Sequence, residues 1–312
     1  MAGSEGFPFR SQNTFLKAPA GDASRPFAVA GLPWDGSVTN RPGARFGPDA
    51  IRRASHMLCD GTHPFFGVSP LGSLTDLGDV PFPNNTSLAA MREALAAAIP
   101  SLIAKHHVVW LGGDHSVTLP VLRAMRAQAG QPVALVHFDA HCDTWPDHMG
   151  EPSGHGTWTR EAIEEGLVIP SATIQLGIRS AAEAGPREFV ERAGGRVFTA
   201  RSLRGLDGAA AMRPVLDEIR RRVADAGTPP VYLTLDIDCL DPAFAPGTGT
   251  PEPAGLSSSQ VMTVLEELAD LPWCGMDVVE VSPPYDHAEL TSNAAAAFAW
   301  TYLAGRVARA AR

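Results

Sequence analysis

Val133-Ala134-Leu135-Val136-His137-Phe138-Asp139-Ala140-His141-Cys142-Asp143 is the stretch that decides how this chain is read. It begins as an almost unbroken apolar run, the pattern of a strand buried on both faces of a parallel sheet. It ends in a carboxylate, an imidazole and a carboxylate at alternate positions: Asp139, His141 and Asp143. On an extended backbone, alternate positions point to one side. These three side chains are therefore expected to project together from the end of a buried strand. Such a grouping is unfavourable unless something positive neutralises it.

Two further stretches end in the same way. Val231-Tyr232-Leu233-Thr234-Leu235-Asp236-Ile237-Asp238 runs an apolar strand into carboxylates two apart. Val108-Val109-Trp110-Leu111-Gly112-Gly113-Asp114-His115-Ser116 runs a strand through two glycines into Asp-His and then a helix. One such stretch alone reads as a polar loop that happens to carry charge; the repetition argues against that. Strands ending in Asp and His converge only as neighbours in one sheet. Open parallel sheets bind ligands at the carboxyl ends of their strands. The expected site is a metal centre drawn from His115, Asp139, His141, Asp143, Asp236 and Asp238.

The donor types narrow the metal. Oxygen-rich ligands with one His per ion suit Mn²⁺ and related divalent ions, and there are too few Cys for a structural zinc site. Six side chains are too many for one catalytic ion that must keep open positions. They suit two ions bridged by shared carboxylates, typically about 3.5–4 Å apart. Such a pair lowers the pKa of a shared water towards neutrality, and the natural chemistry is hydrolysis. Glu280 ends Asp277-Val278-Val279-Glu280-Val281 at the same edge of the sheet. It could grip a planar cation in bidentate fashion, or simply pair with a loop Arg. His155, in the flexible Ser153-Gly154-His155-Gly156-Thr157, could shuttle protons near neutral pH. His148 and His287 read as ordinary loop histidines. Trp34, Trp145 and Trp158 could wall a pocket, although a buried aromatic is more often core.

Composition sets the bounds. The chain has 312 residues, 45% apolar and 19% charged, which is ordinary for a globular protein. A net charge of −9, with no Lys/Arg run, argues against a nucleic-acid binder. Met1-Ala2-Gly3-Ser4-Glu5-Gly6-Phe7-Pro8 has no basic region followed by an apolar core, so no signal peptide is expected. No stretch is apolar for long enough to span a membrane. Cys59, Cys142, Cys239 and Cys274 are scattered, which fits reduced thiols in a cytoplasmic protein. Cys142 and Cys239, out of phase with the expected ligands, should face away from the metal as small buried hydrophobes.

Along the chain, residues 1–24 read as an N-terminal arm and 25–312 as one domain. Strands are expected at Phe27–Gly31, Leu74–Leu77, 108–111, 133–138, Thr173–Leu176, Val197–Thr199, 231–235 and Met276–Val281. Between them lie a helix opened by Pro48-Asp49 and running through Met57, and one capped by Ser87 and running to about Lys105. The Pro100 inside the latter should break or kink it. Gly78–Asn85 reads as turn-rich. Further helices are expected near 117–129, Trp158–Glu165, Pro186–Ala193, Ala209–Ala226, Ser257–Ala269 and Ser292–Ala311. The basic face of the Ala209–Ala226 helix, Arg213, Arg220, Arg221 and Arg222, is most simply solvated. This alternation predicts one α/β domain with a mostly parallel sheet of about eight strands. There is no GxGxxG or GxxxxGK[ST] at a strand–helix turn, so nucleotide-binding folds lose their main support.

Taken together, Gly112-Gly113-Asp114-His115-Ser116, His137-Phe138-Asp139-Ala140-His141-Cys142-Asp143 and Thr234-Leu235-Asp236-Ile237-Asp238-Cys239-Leu240-Asp241-Pro242 resemble the metal motifs of the ureohydrolases, the family of arginase and agmatinase. The resemblance runs from Arg45-Phe46-Gly47-Pro48 to Pro284-Tyr285-Asp286-His287. The run Ala243-Phe244-Ala245-Pro246-Gly247-Thr248-Gly249-Thr250-Pro251 and the ending Asp277–Pro283 are closer to the agmatinase branch. The resemblance implies a three-layer α/β/α fold and two Mn²⁺ per chain, with Ni²⁺ in some members. It implies one ion on His115, Asp139, Asp143 and Asp236, and the other on His141, Asp139, Asp236 and Asp238. His155, Glu280 and Asp143 form the catalytic group it implies, Glu280 holding the guanidinium and His155 passing protons towards the leaving amine. The products would be urea and an amine, in polyamine metabolism, from a homo-oligomer, often a trimer or hexamer. Two positions depart from the family's common pattern: Cys142, where Thr or Ala is usual, and Trp158 after His155-Gly156-Thr157.

The expected activity is hydrolysis of agmatine to putrescine and urea. Guanidinobutyrase, guanidinopropionase, or a hydrolase of a substituted guanidine or of a biguanide such as metformin keeps the chemistry and changes the substrate. A substrate bearing a carboxylate would want a basic residue, and Arg41 and Arg45 are the candidates. Outside this class stand a dinuclear amide hydrolase, a phosphoesterase and a non-catalytic metal-binding subunit. The phosphoesterase loses ground because no Lys or Arg lies inside the three motifs.

Overall fold

The computed structural model describes residues 13–82 and 86–311. Its strands are β1 (Phe27–Leu32), β2 (Leu74–Asp79), β3 (His107–Gly112), β4 (Val133–Phe138), β5 (Val168–Ile178), β6 (Arg196–Thr199), β7 (Val231–Asp236) and β8 (Trp273–Val279). They form one sheet in the order β2-β1-β3-β8-β7-β4-β5-β6, and every pairing is parallel. The chain lays β8 and β7 between β3 and β4, so the motif-bearing strands are neighbours.

Alternation along each strand separates two cores. In β4, Val133 and Leu135 pack with Met91, Leu95, Leu122 and Trp158 of the helices at Leu88–Ile103, Thr118–Ala129 and Trp158–Glu164. Ala134, Val136 and Phe138 face the other way, onto Ile219, Val264 and Phe298 of the helices at Gly208–Asp225, Ser258–Glu267 and Leu290–Ala310. The result is three layers, α/β/α. Each fully buried aliphatic side chain contributes about 1.5–3 kcal/mol relative to exposure. This burial on both faces is why the central strands read as continuous apolar runs.

Local signals set the helix ends. Ser87 accepts from the Ala90 amide, and Ser257 and Gln260 form a reciprocal capping box. Pro100 does not break its helix, which runs on to Ile103. The proline removes a single bond near the carboxyl end, and the buried Ile99 and Ile103 on either side of it keep that turn docked. The helix expected over Pro186–Ala193 is two short pieces, Ala184–Arg187 and Phe189–Arg192. The basic face of Gly208–Asp225 is spent in surface pairs: Arg221 with Glu218 and Asp225, Arg222 with Glu218, and Arg220 with Asp270.

From residue 13 onward the expected arm lies on the domain. Phe15 and Leu16 are buried, and their amides donate to Asp76 Oδ2 (2.7 Å) and Ser55 Oγ (2.8 Å). Residues 1–12 of that arm, and the end of the expected turn at 83–85, lie outside the described residues. Among the described residues, no helix is long and apolar enough to cross a membrane.

Register places the site. Leu111, Val278, Leu235 and Phe138 stand in one row across β3, β8, β7 and β4. The residues that follow each of them therefore emerge together at one edge of the sheet.

Candidate metal centre

One register row before that edge lies a second row, Asp277, Thr234, His137 and Gln175 on β8, β7, β4 and β5. All of these polar side chains are buried. Their hydrogen bonds fix several protons. Asp277 accepts from Thr118 and Tyr232 at Oδ2 (2.9 Å each) and from Thr234 at Oδ1 (2.5 Å). Because the Thr234 hydroxyl is spent on Asp277, its oxygen accepts from His115 Nε2 at 2.8 Å. In the neutral ring, Nδ1 of His115 is then left with its lone pair. It faces Asp139 Oδ2 at 3.2 Å, Asp143 Oδ2 at 3.3 Å and Asp236 Oδ2 at 3.2 Å. A lone pair turned on three carboxylate oxygens is repulsive unless a cation stands among them.

The other ring follows a similar logic. His141 Nδ1 lies 3.1 Å from Asp238 Oδ2 and 3.3 Å from Asp139 Oδ1. Asp139 thus reaches both histidines. Asp236 is tied to the second group through its Oδ1, which accepts from the Asp238 amide at 2.8 Å. All six expected ligands are brought together, and these donors fit a pair of divalent ions.

The ligands are not presented as expected. β4 stops at Phe138, and Asp139–Asp143 is a turn, not extended strand, with Asp143 at φ 51°. The Asp139 carboxylate folds back to accept from the His141 amide at 2.6 Å, which an extended chain does not permit. Likewise β7 ends at Asp236, and Asp238 sits in the 3₁₀ turn Ile237–Cys239. The side chains converge through tight turns that give oxygen atoms an inward aim. Gly113 makes room beside them: a Cβ there would lie 1.6 Å from the Trp34 carbonyl oxygen, which accepts from the Asp114 amide.

Several residues around the ligands escaped the sequence reading. His137 Nδ1 accepts from Gln175 Nε2 (3.1 Å), so its Nε2–H donates to Asp139 Oδ2 at 2.8 Å. In this arrangement His137 spends both ring nitrogens on Gln175 and Asp139, although it stands in the group His115, His137, Asp139 and Asp143 that could hold an ion. The Trp158 indole N–H donates to Asp143 Oδ2 at 2.7 Å, and its ring lies against His115 and His137. The signal for His137 and Thr234 was present: each stands two residues before a ligand, on the same side of its strand. Asp277 carried no such signal, and Trp158, read as a possible pocket wall, gave none for its bond to Asp143, because only tertiary folding brings them there. Cys142 and Cys239 are buried, the latter in the apolar core. Burial pushes both thiols up.

The electrostatics describe a site that lacks positive charge. Burial opposes charging of His115 and His141, yet the surrounding carboxylates outweigh it and raise both well above the ordinary imidazole value. Burial would raise Asp139, but hydrogen bonds from His115, His137 and His141 hold it well below the carboxylate range. Asp236 goes up, through burial and then through Asp238 and Asp139. Loading cations must therefore displace protons from the histidines.

Glu280 follows β8 with φ 63°, its amide bonded to the Gly113 carbonyl at 2.8 Å. Its Oε1 accepts from the His115 amide (2.9 Å) and from His155 Nδ1 (2.8 Å). Its Oε2 is buried without a hydrogen-bond partner among the described residues. No loop Arg pairs with it among the described residues. His155 is buried beside it, and its ring meets that of His148 edge-on at 5.5 Å. Above these groups opens a cavity of about 640 Å³, walled by Trp145, Pro146, Met149 and Pro186 and carrying Asp147 and Glu183. His148 lines it as well, so this histidine belongs to the pocket. Arg45 pairs with Asp35, and Arg41 lies over the Tyr285 ring at 5.0 Å; neither lines the cavity.

Two histidines and four aspartates gathered at the carboxyl edge of a doubly covered parallel sheet, all but His141 buried, fit a hydrolase of the ureohydrolase class. The arginase-family model matches residues 25–305, and the chain belongs to that family, whose members depend on a dinuclear metal centre. The chain is 43% identical over 273 residues to an agmatinase from Chromobacterium violaceum, covering 86% of this chain and 80% of that protein. Among solved structures it is similar to proclavaminate amidinohydrolase from Streptomyces clavuligerus, with TM-score 0.86, 37% identity and coverage of 96% and 98%. It is also similar to a hypothetical agmatinase from Burkholderia thailandensis, with TM-score 0.83, 35% identity and coverage of 97% and 93%.

Proposed function

We propose that this chain hydrolyses agmatine to putrescine and urea with two Mn²⁺ ions, Ni²⁺ being the alternative metal. The observation that carries the substrate is the lining of the cavity. It holds Asp147 and Glu183, and no Lys or Arg among its described residues. A guanidino acid would bring its carboxylate against like charge, whereas agmatine brings a second cation. Trp145, Pro146 and Met149 suit the methylenes between them.

In this reading His115, Asp139, Asp143 and Asp236 would hold one ion, and His141, Asp139, Asp236 and Asp238 the other. Bound there, the ions supply Lewis-acid charge and acidify a water for hydrolysis. The protein's own groups do the rest. Glu280 takes the guanidinium, for which its buried Oε2 is free of hydrogen-bond partners among the described residues. Water adds at the guanidino carbon, the bond to the alkyl-bearing nitrogen breaks, and that nitrogen must gain a proton. In this reading His155, bonded to Glu280, supplies it. Asp143, steadied by the Trp158 indole, would hold its ion on the His115 side of the centre.

Urea release measured across agmatine, guanidinobutyrate, guanidinopropionate, arginine, guanidine and metformin tests the proposal. Agmatine should be turned over best and arginine poorly. Urea from a guanidino acid but none from agmatine would overturn the substrate and leave the reaction class standing.

A further inference from the structure

His155 is held at both ring nitrogens, and the two holds differ in kind. Nδ1 lies 2.8 Å from Glu280 Oε1. A carboxylate oxygen only accepts, so Nδ1 carries a proton whether the ring is neutral or charged. The two states differ at Nε2 alone: a lone pair in the neutral ring, an N–H in the imidazolium. Thr39 offers Nε2 a partner for each state. Its backbone N–H points at Nε2 from 3.1 Å, and its Oγ1 lies 3.0 Å away. The amide can only donate; the hydroxyl oxygen can accept.

The loop that carries Thr39 is firmly set. Ser37 donates to Asp114 Oδ2 through its amide (2.9 Å) and its hydroxyl (3.0 Å). The Ser37 carbonyl accepts from the His155 amide at 3.5 Å. Asn40 Nδ2 donates to the Gly249 carbonyl at 2.9 Å, and Asp35 accepts from the Gly43 amide at 2.7 Å. Thr39 is therefore aimed before any substrate arrives.

We propose that Thr39 is a positioning residue that serves both protonation states of His155, its amide holding the neutral ring and its hydroxyl holding the charged one. The idea rests on the proton-transfer role assigned to His155 above. A group that must pick up and release a proton works best when neither state is left unpartnered. The charged groups that face His155 are Glu280 just after β8, Asp114 just after β3 and Asp143 from the segment after β4, with His148 from its own loop. Burial opposes the charge, but Glu280 outweighs it and lifts His155 to about 9. His148 moves the other way, through burial and then through His155, so it does not compete for the proton.

Thr39→Val keeps the amide and nearly the same shape, and removes only the acceptor. It should destabilise the charged ring and lower its pKa. The alkaline limb of kcat, which needs charged His155 to protonate the leaving amine, should move down by about one pH unit. KM for agmatine should stay within about twofold, with metal content unchanged. Thr39→Ser restores the acceptor and should bring the limb back. The ¹⁵N shifts of His155 read the same midpoint without recourse to activity. If both the limb and the ¹⁵N midpoint stay put in Thr39→Val, or if Ser behaves like Val, the proposal is overturned. His155→Ala separates this from the underlying reading: it should keep its metal and lose roughly 10²–10⁴-fold in kcat. An unchanged kcat there would remove the proton-transfer role itself, whatever the Thr39 spectra show.

Discussion

His115 and His141 each stand against carboxylates, but on differently built sides of the centre. The His115 side chain is 1% exposed and that of His141 is 16%. Behind His115, Thr234 and Asp277 form a buried chain with Thr118 and Tyr232, and Trp158 covers the ring. Behind His141 the nearest acid is Glu252, whose Oε1 is 3.8 Å from Nε2 and takes a bond from Ser180. The first imidazole is oriented by the core of the sheet and the second by a loop at the mouth of the cavity. The inner imidazole is thus held by buried side chains of the sheet, and the outer one faces a partly exposed acid. Partners behind a ligand imidazole matter most where nothing else can turn the ring.

The largest effect should come where the halves join. Asp139 faces both histidines, so Asp139→Asn should empty both positions. Urea release should fall by roughly 10³-fold or more, the several kcal/mol that metal ions supply at about 1.36 kcal/mol per decade. Elemental analysis of the folded variant checks it: a full complement of two ions per chain would mean that Asp139 does not join the halves.

A smaller, one-sided effect should separate inner from outer. Asp277→Asn should weaken one of the two ions by about 10–100-fold, as loss of an orienting partner does. Glu252→Gln, on the exposed side, should change metal affinity by about fivefold or less. Titration of metal-free protein with Mn²⁺ measures both, with circular dichroism to confirm folding. Equal losses in the two variants would end the distinction.

The smallest effect concerns pH. In metal-free protein His115 and His141 are raised above their unfolded value. Each therefore contributes stability that is complete below about 6.5 and is lost as pH rises through the folded-state pKa. Asp236, also raised, acts in the same direction. The Tm of metal-free protein should fall as pH rises above about 6.5, and saturating Mn²⁺ should abolish the trend. A metal-free Tm that climbs across that range would mean that these imidazoles are not charged in the empty site.

Much of the architecture could be read from the order of residues. Strand and helix positions, the parallel sheet and the convergence of His115, Asp139, His141, Asp143, Asp236 and Asp238 follow from apolar runs that end in Asp and His. A residue that must be buried between two helix layers, or must bind a cation, leaves few side chains to choose from. The boundaries were less legible. The alternation rule extended the strand through Asp143, whereas the chain turns after Phe138 because the Asp139 carboxylate takes the His141 amide. Pro100 looked like a helix breaker and is not one, since burial of Ile99 and Ile103 outweighs one missing bond.

What surrounds the ligands was another matter. Asp277 reads as one more polar residue in a strand until register sets it beside Thr234, and Thr234 beneath His115. Trp158 looked like a departure from the family pattern; folding turns it into a hydrogen-bond donor to Asp143. His155 and Glu280 are separated by 125 positions, and Thr39 by a further 116 on the other side of the ring. A motif within one strand is fixed by local geometry and so is written in consecutive residues. The proton positions on His115, His137 and His155 depend on partners from other strands and loops, and those distances exist only once the sheet has closed around them.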